Sequence, residues 1–420
     1  MLDLPSRVLL AVTSALAAFA LTATVVGGPG DAVALAATDS PDLSGIPDFA
    51  LQPALPAGTR PPITATGATQ TGATPNDATP TGATPTGATA TDATPTDATP
   101  TGVTDPDDEQ DEEPAPPITI AFAGDIHGEP PIDQLLRRGD NPLEGVADLL
   151  GDADLAVVNL ETAVGTLGRP ADKTYTFQAD PALATALADA GVDVVTLANN
   201  HALDYGIEAA DETRAVVEGE GMAVVGYGRD AEDAYAAHVV DIGGRTVAVV
   251  GLSRVLPVID WAAEANRPGM ASAYDTGAAV EAVRAASALA DHVVVTIHWG
   301  QERWVCPNAD QVSLARALSN AGADVIAGHH PHVLQGLVTF QDTLIAYSVG
   351  NFVFYARTPA TRQSGVLTVT LGGGGVEDHL WSPAVIDGQG RPQPVATQAP
   401  IPSGEQLTMP SSGPECGPPS

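Results

Sequence analysis

Between Ile118 and about Val395 short β-branched runs alternate with alanine-rich stretches, and this alternation confines the chain to an α/β fold. The runs "ITIAFAG" (118–124), "DLAVVNLE" (154–161), "VDVVTLANNH" (192–201), "MAVVGYG" (222–228), "HVVVTIHWG" (292–300) and "ADVIAG" (323–328) have strand composition. "DPALATALADAG" (180–191), "YGIEAADETRAVVEGEG" (205–221), "TGAAVEAVRAASALA" (276–290) and "ADQVSLARALSNAG" (309–322) have helical composition. Hairpins are expected in "HVVDIGGRTVAVVGL" (238–252) and "VLQGLVTFQDTLIAYSVGNFVF" (333–354), and edge strands in "GVLTVTLG" (365–372) and "HLWSPAVID" (379–387). Hairpins among parallel-type strands mean mixed sheets covered by helices, either one open sheet or two stacked between helix layers.

The rest of the chain is unsuited to a core. Arg7 precedes an uncharged apolar run, Val8 to Val26, with small residues after it, so residues 1–36 read as an export signal cleaved near Ala34 or Ala36, or as an uncleaved membrane anchor. Either places the rest outside the cytoplasm. Residues 37–117 read as a spacer without structure of its own. They include eight pentapeptides of the TGATP type between Thr66 and Asp105, with no large apolar side chain to offset the entropy of ordering. The acidic run Asp105–Glu113 extends that spacer by self-repulsion, and residues 396–420 read as a disordered tail. The two cysteines are Cys306 and Cys416, which export permits, but does not oblige, to pair.

The net charge of −35 argues against nucleic acid as a partner. Aromatic residues are 4% of the chain, too few to favour a sugar-binding surface. An anionic substrate would need a local positive centre, and a metal ion can supply one.

The ends of the strands carry the chemistry. Asp125 and His127 follow the first, Asn159 and Glu161 the second, Asn199, Asn200 and His201 the third. His298 and Glu302 follow a later strand, and His329, His330 and His332 another. Each alone has a plainer reading: Asp125 as a helix cap, the asparagines as turn residues, His298 as a core histidine, "HHPH" as a turn. Together, so many polar groups at one sheet edge would be costly to bury unless paired, and a divalent cation pairs several at once. Carboxylate, amide and imidazole without thiolate suit Mn, Fe or Zn, and the number of donors exceeds one tetrahedral shell, which suggests two ions. His201 beside Asn200 is the candidate proton donor.

"NLETAV", "TLANNHALDYG", "IHWGQE", "GADVIAGHHPHVLQG" and "YSVGNFVF" resemble the motif series of the CapA family, named for poly-γ-glutamate capsule biosynthesis, over about Ile118 to Phe354. That family is similar in turn to the calcineurin-like metallophosphatases. The resemblance implies a four-layer α/β/β/α fold for residues 118–395. It also implies metal ligation by Asp125, His127, Glu161, Asn200, His298, His330 and His332, and catalysis by His201. His329 is implied as a supporting or structural residue, and Glu302 as orienting a ligand or meeting substrate. Glu161 stands where the metallophosphatases have an aspartate, and "YSVGNFVF" has no counterpart in them; its Asn351 is expected to cap a turn rather than line the pocket. Lys173, the single lysine, is a substrate-binding candidate, although an exposed loop lysine is the commoner case. The expected activity is metal-dependent phosphoester hydrolysis in making an envelope polymer, beside a membrane-bound synthetase. The alternative is a non-catalytic scaffold subunit that grips a polyanion.

Overall fold

The structure is a computed structural model, and it describes residues 64–65 and 115–395. The apolar run Val8–Val26, the acidic run, Cys416 and the 396–420 tail lie outside the described residues. Among those described, no helix is long and apolar enough to cross a membrane. Cys306 takes part in a disulfide.

Two mixed sheets form the centre. The first contains β1 (Ile118–Ile126), β2 (Leu155–Leu160), β3 (Val194–Thr196) and β4 (Ala223–Val225), all parallel neighbours in that order. The second contains β5 (His238–Ile242), β6 (Arg245–Ser253), β7 (His292–His298), β8 (Val325–His329), β9 (Leu337–Phe340) and β10 (Thr343–Ala346). β6, β7, β8 and β10 run parallel, with β5 and β9 antiparallel outside them. Thr64–Ala65, inside the expected spacer, pairs antiparallel with β5.

The chain then returns to the first sheet. β11 (Asn351–Val353) pairs parallel with β1, and β12 (Gln363–Gly372), β13 (Gly375–Ile386) and β14 (Pro392–Pro394) extend that sheet antiparallel beyond β1. Two expectations are corrected. The end of "VLQGLVTFQDTLIAYSVGNFVF" does not stay with its hairpin but crosses to the other sheet, because the Gly350 carbonyl accepts from the Asp125 N–H at 3.0 Å and draws β11 onto β1. "GVLTVTLG" is not an edge strand, because β12 lies between β1 and β13 and most of it is buried, whereas "HLWSPAVID" in β13 is flanked by β14 only over Ala384–Ile386 and forms the edge before that.

The sheets stack through a dry layer that includes Ile120, Phe122, Val157 and Leu367 from the first and Val249, Val294 and Leu344 from the second. On the outer face of the first sheet pack α1 (Ala182–Asp189) and α2 (Ile207–Gly219) through residues such as Leu183, Leu187 and Val217. On the outer face of the second pack α3 (Thr276–Ser287) and α4 (Ala309–Ser319) through Val283, Leu314 and Leu318. The layers are therefore α/β/β/α, the fold class the resemblance implies. α4 starts with a capping box between Asn308 and Gln311. Strands buried on both faces explain the near-continuous apolar runs.

Phe122 fills the layer between the sheets at 1% exposure. Phe122→Ala is expected to lower stability by about 3–5 kcal/mol, read as a shift of the urea midpoint at unchanged slope.

Candidate metal centre

β1, β2, β7 and β8 end at the same rim, and close backbone approach sets how their side chains meet. Gly124 precedes Asp125, and a Cβ there would overlap the Gly350 carbonyl; Gly328 precedes His329, and a Cβ there would overlap the Tyr347 carbonyl and the Trp299 indole nitrogen. Backbone strain gathers here as well. Among the described residues four non-glycines have positive φ, and three of them, Arg303 (64°), His330 (91°) and His332 (56°), belong to this rim. Such conformations cost on the order of 1–3 kcal/mol each and persist only where contacts enforce them. Here the His330 N–H donates to Asp125 Oδ2 at 3.3 Å and the Arg303 N–H to the Pro331 carbonyl at 2.7 Å.

At the centre are two fully buried carboxylates, Asp125 and Glu161. Asp125 is well supplied: Asn159 Nδ2 donates to Oδ1 at 2.8 Å, His332 Nδ1 lies 3.0 Å from Oδ2 and His329 Nδ1 3.4 Å from Oδ1. Burial alone would raise its pKa, but His329 and His332 outweigh burial and hold the carboxyl well below the usual range. Glu161 has the opposite fate. Burial and the charge of Asp125 push it well above the usual carboxylate range, and neither of its oxygens has a hydrogen-bond partner. A buried carboxylate with both oxygens orphaned is an expensive arrangement that a cation would relieve.

The imidazoles are prepared in the same sense. Burial lowers His298 well below its ordinary value, and burial together with the charge on His332 takes His330 down to about 3. Both rings are neutral near pH 7, the form that binds metal. His330 Nδ1 is buried without a partner. His298 Nε2 faces Asn200 Oδ1 at 2.7 Å and Glu161 Oε1 at 3.4 Å. His332 differs: burial opposes its charge, yet Glu161 and Asp125 raise it to about 10. A proton on His332 thus balances the carboxylates, a role that a divalent cation can take over.

Three groups of donors lie within 4.8 Å of one another: Glu161, His298 and His330; Asp125, Glu161 and His332; Glu302, His330 and His332. Each can hold a metal ion, and Glu161 is common to the first two. The orphaned oxygens, the neutral rings and the all-oxygen-and-nitrogen donor set fit a borderline divalent metal.

Beside this cluster His201 sits in a separate buried network. Its Nδ1 meets Asp204 Oδ2 at 2.6 Å, while Lys173 Nζ donates to Asp204 Oδ1 at 2.6 Å and to the Asn200 carbonyl at 2.6 Å. The Phe177 ring stacks on His201 at 4.0 Å and its N–H donates to Asp204 Oδ2 at 2.7 Å. Burial lowers the His201 pKa, against the hydrogen bond and charge of Asp204.

Of the residues singled out in the sequence, the structure brings together Asp125, Glu161, Asn200, His298, His330 and His332, with His329 against Asp125 and Glu302 at the exposed margin. His127 is not in any of the three donor groups. Its ring packs among Phe177, Phe354 and Tyr355, and the N–H groups of Glu129 and Tyr355 approach its two nitrogens at 3.0 and 3.3 Å. Lys173 is neither an exposed loop lysine nor free for substrate, because Asp204 draws its ammonium inward. Asn351 does not merely cap a turn: Oδ1 lies 2.8 Å from His332 Nδ1, and Nδ2 donates to the carbonyls of His332 and Thr361. Asp204, Asn159 and Asn199 carry roles that the sequence reading left unassigned. Asn199 Nδ2 donates to Asn159 Oδ1 at 3.0 Å, so two amides in series orient Asp125. The His201-x-x-Asp204 spacing is the one signal that pointed to Asp204.

Residues 119–356 match the family model described as "Bacterial capsule synthesis protein PGA_cap". The chain is 34% identical over 259 residues to "PGA biosynthesis protein CapA" of Bacillus subtilis (strain 168), covering 60% of this chain and 68% of that one. It is 30% identical over 289 residues to "Capsule biosynthesis protein CapA" of Bacillus anthracis, 67% of this chain and 70% of that one. A "probable polyglutamine synthesis accessory protein" of Mycobacterium tuberculosis (strain H37Rv) is 31% identical over 211 residues, 48% of this chain and 55% of that one.

Glu161→Gln keeps the shape but removes the shared charge, and Gly124→Ala forces β1 away from Gly350. Elemental analysis after dialysis against Mn²⁺ or Zn²⁺ should find little metal in Glu161→Gln and a reduced content in Gly124→Ala. Wild-type metal content in Glu161→Gln would contradict this account of the centre.

Proposed function

The chain belongs to the bacterial capsule synthesis PGA_cap family, and from that premise we propose that it is an exported phosphoesterase-type protein of capsule polymer synthesis. Its substrate is an anionic polymer or phosphoester, and it works at the cell envelope, tethered by its N-terminal segment or secreted, beside a polymer synthetase complex. The observation that carries this reading is Glu161, a buried carboxylate with both oxygens orphaned and common to two groups of metal donors.

Asp125, Glu161 and His332 would hold one divalent cation, and Glu161, His298 and His330 with Asn200 Oδ1 a second. Such a pair polarises a phosphoryl oxygen and makes water a nucleophile at neutral pH. Asp204 holds Nδ1 of His201 and leaves Nε2 for the cavity that His201 lines. With its pKa lowered by burial, His201 rests neutral. An arriving anionic group raises its proton affinity, so His201 Nε2 takes up a proton from solvent and can deliver it to the departing oxygen. Lys173 limits how far Asp204 alone can charge the ring, and Phe177 keeps its plane.

A second reading, a non-catalytic scaffold subunit that grips a polyanion, is favoured by the description of the mycobacterial relative as an accessory protein. The two part on one measurement. Metal-loaded protein is expected to carry about two equivalents of metal and to release alcohol or phosphate from simple phosphodiesters or monoesters. His201→Ala should lose about 10²–10⁴-fold in turnover with its metal retained. Metal-replete protein that leaves a broad phosphoester panel intact would transfer the case to the scaffold reading.

A further inference from the structure

The cavity beside the candidate metal centre has a volume of about 350 Å³, space for more than a phosphoryl group. Its lining includes His201 and His332 together with Arg303 and Arg357. In a domain whose residues 118–395 hold 35 acidic and 15 basic side chains, neither of these arginines forms an ion pair among the described residues, whereas most of the others do. The Arg303 backbone and the Arg357 guanidinium each have a fixed anchor. The Arg303 backbone is pinned in a left-handed conformation to the Pro331 carbonyl, inside the turn that carries His330 and His332. The Arg357 guanidinium lies over the Tyr355 ring at 5.6 Å, and Tyr355 is tied through its N–H to His127. Glu302 is the one carboxylate on the cavity lining, and it lies within reach of His330 and His332 rather than pairing with either arginine.

Two guanidinium groups without an ion-pair partner among the described residues, on the lining of one cavity, are suited to a planar oxyanion, which Arg grips in a bidentate manner. Resting on the hydrolytic reading above, we propose that Arg303 and Arg357 form a subsite for a second anionic group, carboxylate or phosphate, so that the substrate is a phosphoester carrying at least one further negative charge.

The test is calorimetric binding to the full chain loaded with Mn²⁺, using benzylphosphonate, its ring-carboxylated form and a bisphosphonate of the same ring. Wild type should bind at least one of the doubly anionic ligands about tenfold or more tightly than benzylphosphonate, and the tighter of the two identifies the anion. Arg303→Gln and Arg357→Gln should each shrink that advantage about threefold or more, and the double variant should abolish it. Affinity for benzylphosphonate stays as in wild type, and Arg284→Gln, on the far helix α3, changes nothing. Equal affinity for all three ligands, or a double variant that keeps the preference, overturns the subsite. Turnover of the matching aryl phosphates separates the two ideas. A binding preference without turnover upholds the subsite and sinks hydrolysis, turnover with equal affinities sinks the subsite alone, and no binding of any ligand overturns both.

Discussion

Two carboxylates buried side by side set the terms for the rest of this rim. Asp125 and Glu161 lie at the ends of neighbouring strands, and like charges in a low-dielectric setting cannot both ionise without help. The chain supplies that help unequally. Asp125 receives the amide of Asn159 and two imidazoles, while Glu161 is left bare and drifts toward its neutral form. The nearest imidazole to Glu161, His298 Nε2, stands 3.4 Å from Oε1 and closer to Asn200 Oδ1, at 2.7 Å. The arrangement gives up stability at Glu161, a cost that a cation would relieve.

The two stacked sheets make that sacrifice tolerable. Their dry interface and helix-covered outer faces hold the strands rigidly, so that the rim can keep strained turns at His330, His332 and Arg303. A site on less constrained loops would relax its orphaned groups toward water. The Asp204 network lies next to the cluster yet is internally satisfied, with Lys173, His201 and Phe177 all directed at one carboxylate. The rim therefore contains one saturated carboxylate, Asp204, and one bare one, Glu161; in the proposed function the first orients His201 and the second would attract a cation.

Much of this was legible in the sequence for a physical reason. Strands buried on both faces write themselves as apolar runs, and the polar residues that end them stand out sharply; the donors of the cluster were all found in that way. Those runs and the helices between them fitted one open sheet or two stacked sheets alike, and it was the family resemblance that implied the four-layer order. What stayed hidden depends on pairings between distant segments. Asn351 looks like a turn residue because nothing local says that β11 will leave its hairpin and lie against β1. Lys173 looks exposed because its partner Asp204 is 31 residues away across the fold. His127 keeps the Asp-x-His spacing, but three aromatic rings from other parts of the chain, not the spacing, decide where its imidazole settles.

The return of β11 to the first strand has a temporal consequence. The Gly350 carbonyl that anchors Asp125 is made long after Asp125 itself, so a nascent chain carries an unfinished first sheet until nearly the whole domain has emerged. No earlier stage of synthesis has the two halves of the donor set, from the first sheet and from the second, complete. A centre of this kind is thereby open to an ion only in the finished molecule, and any choice among metals would be made wherever the chain completes its folding.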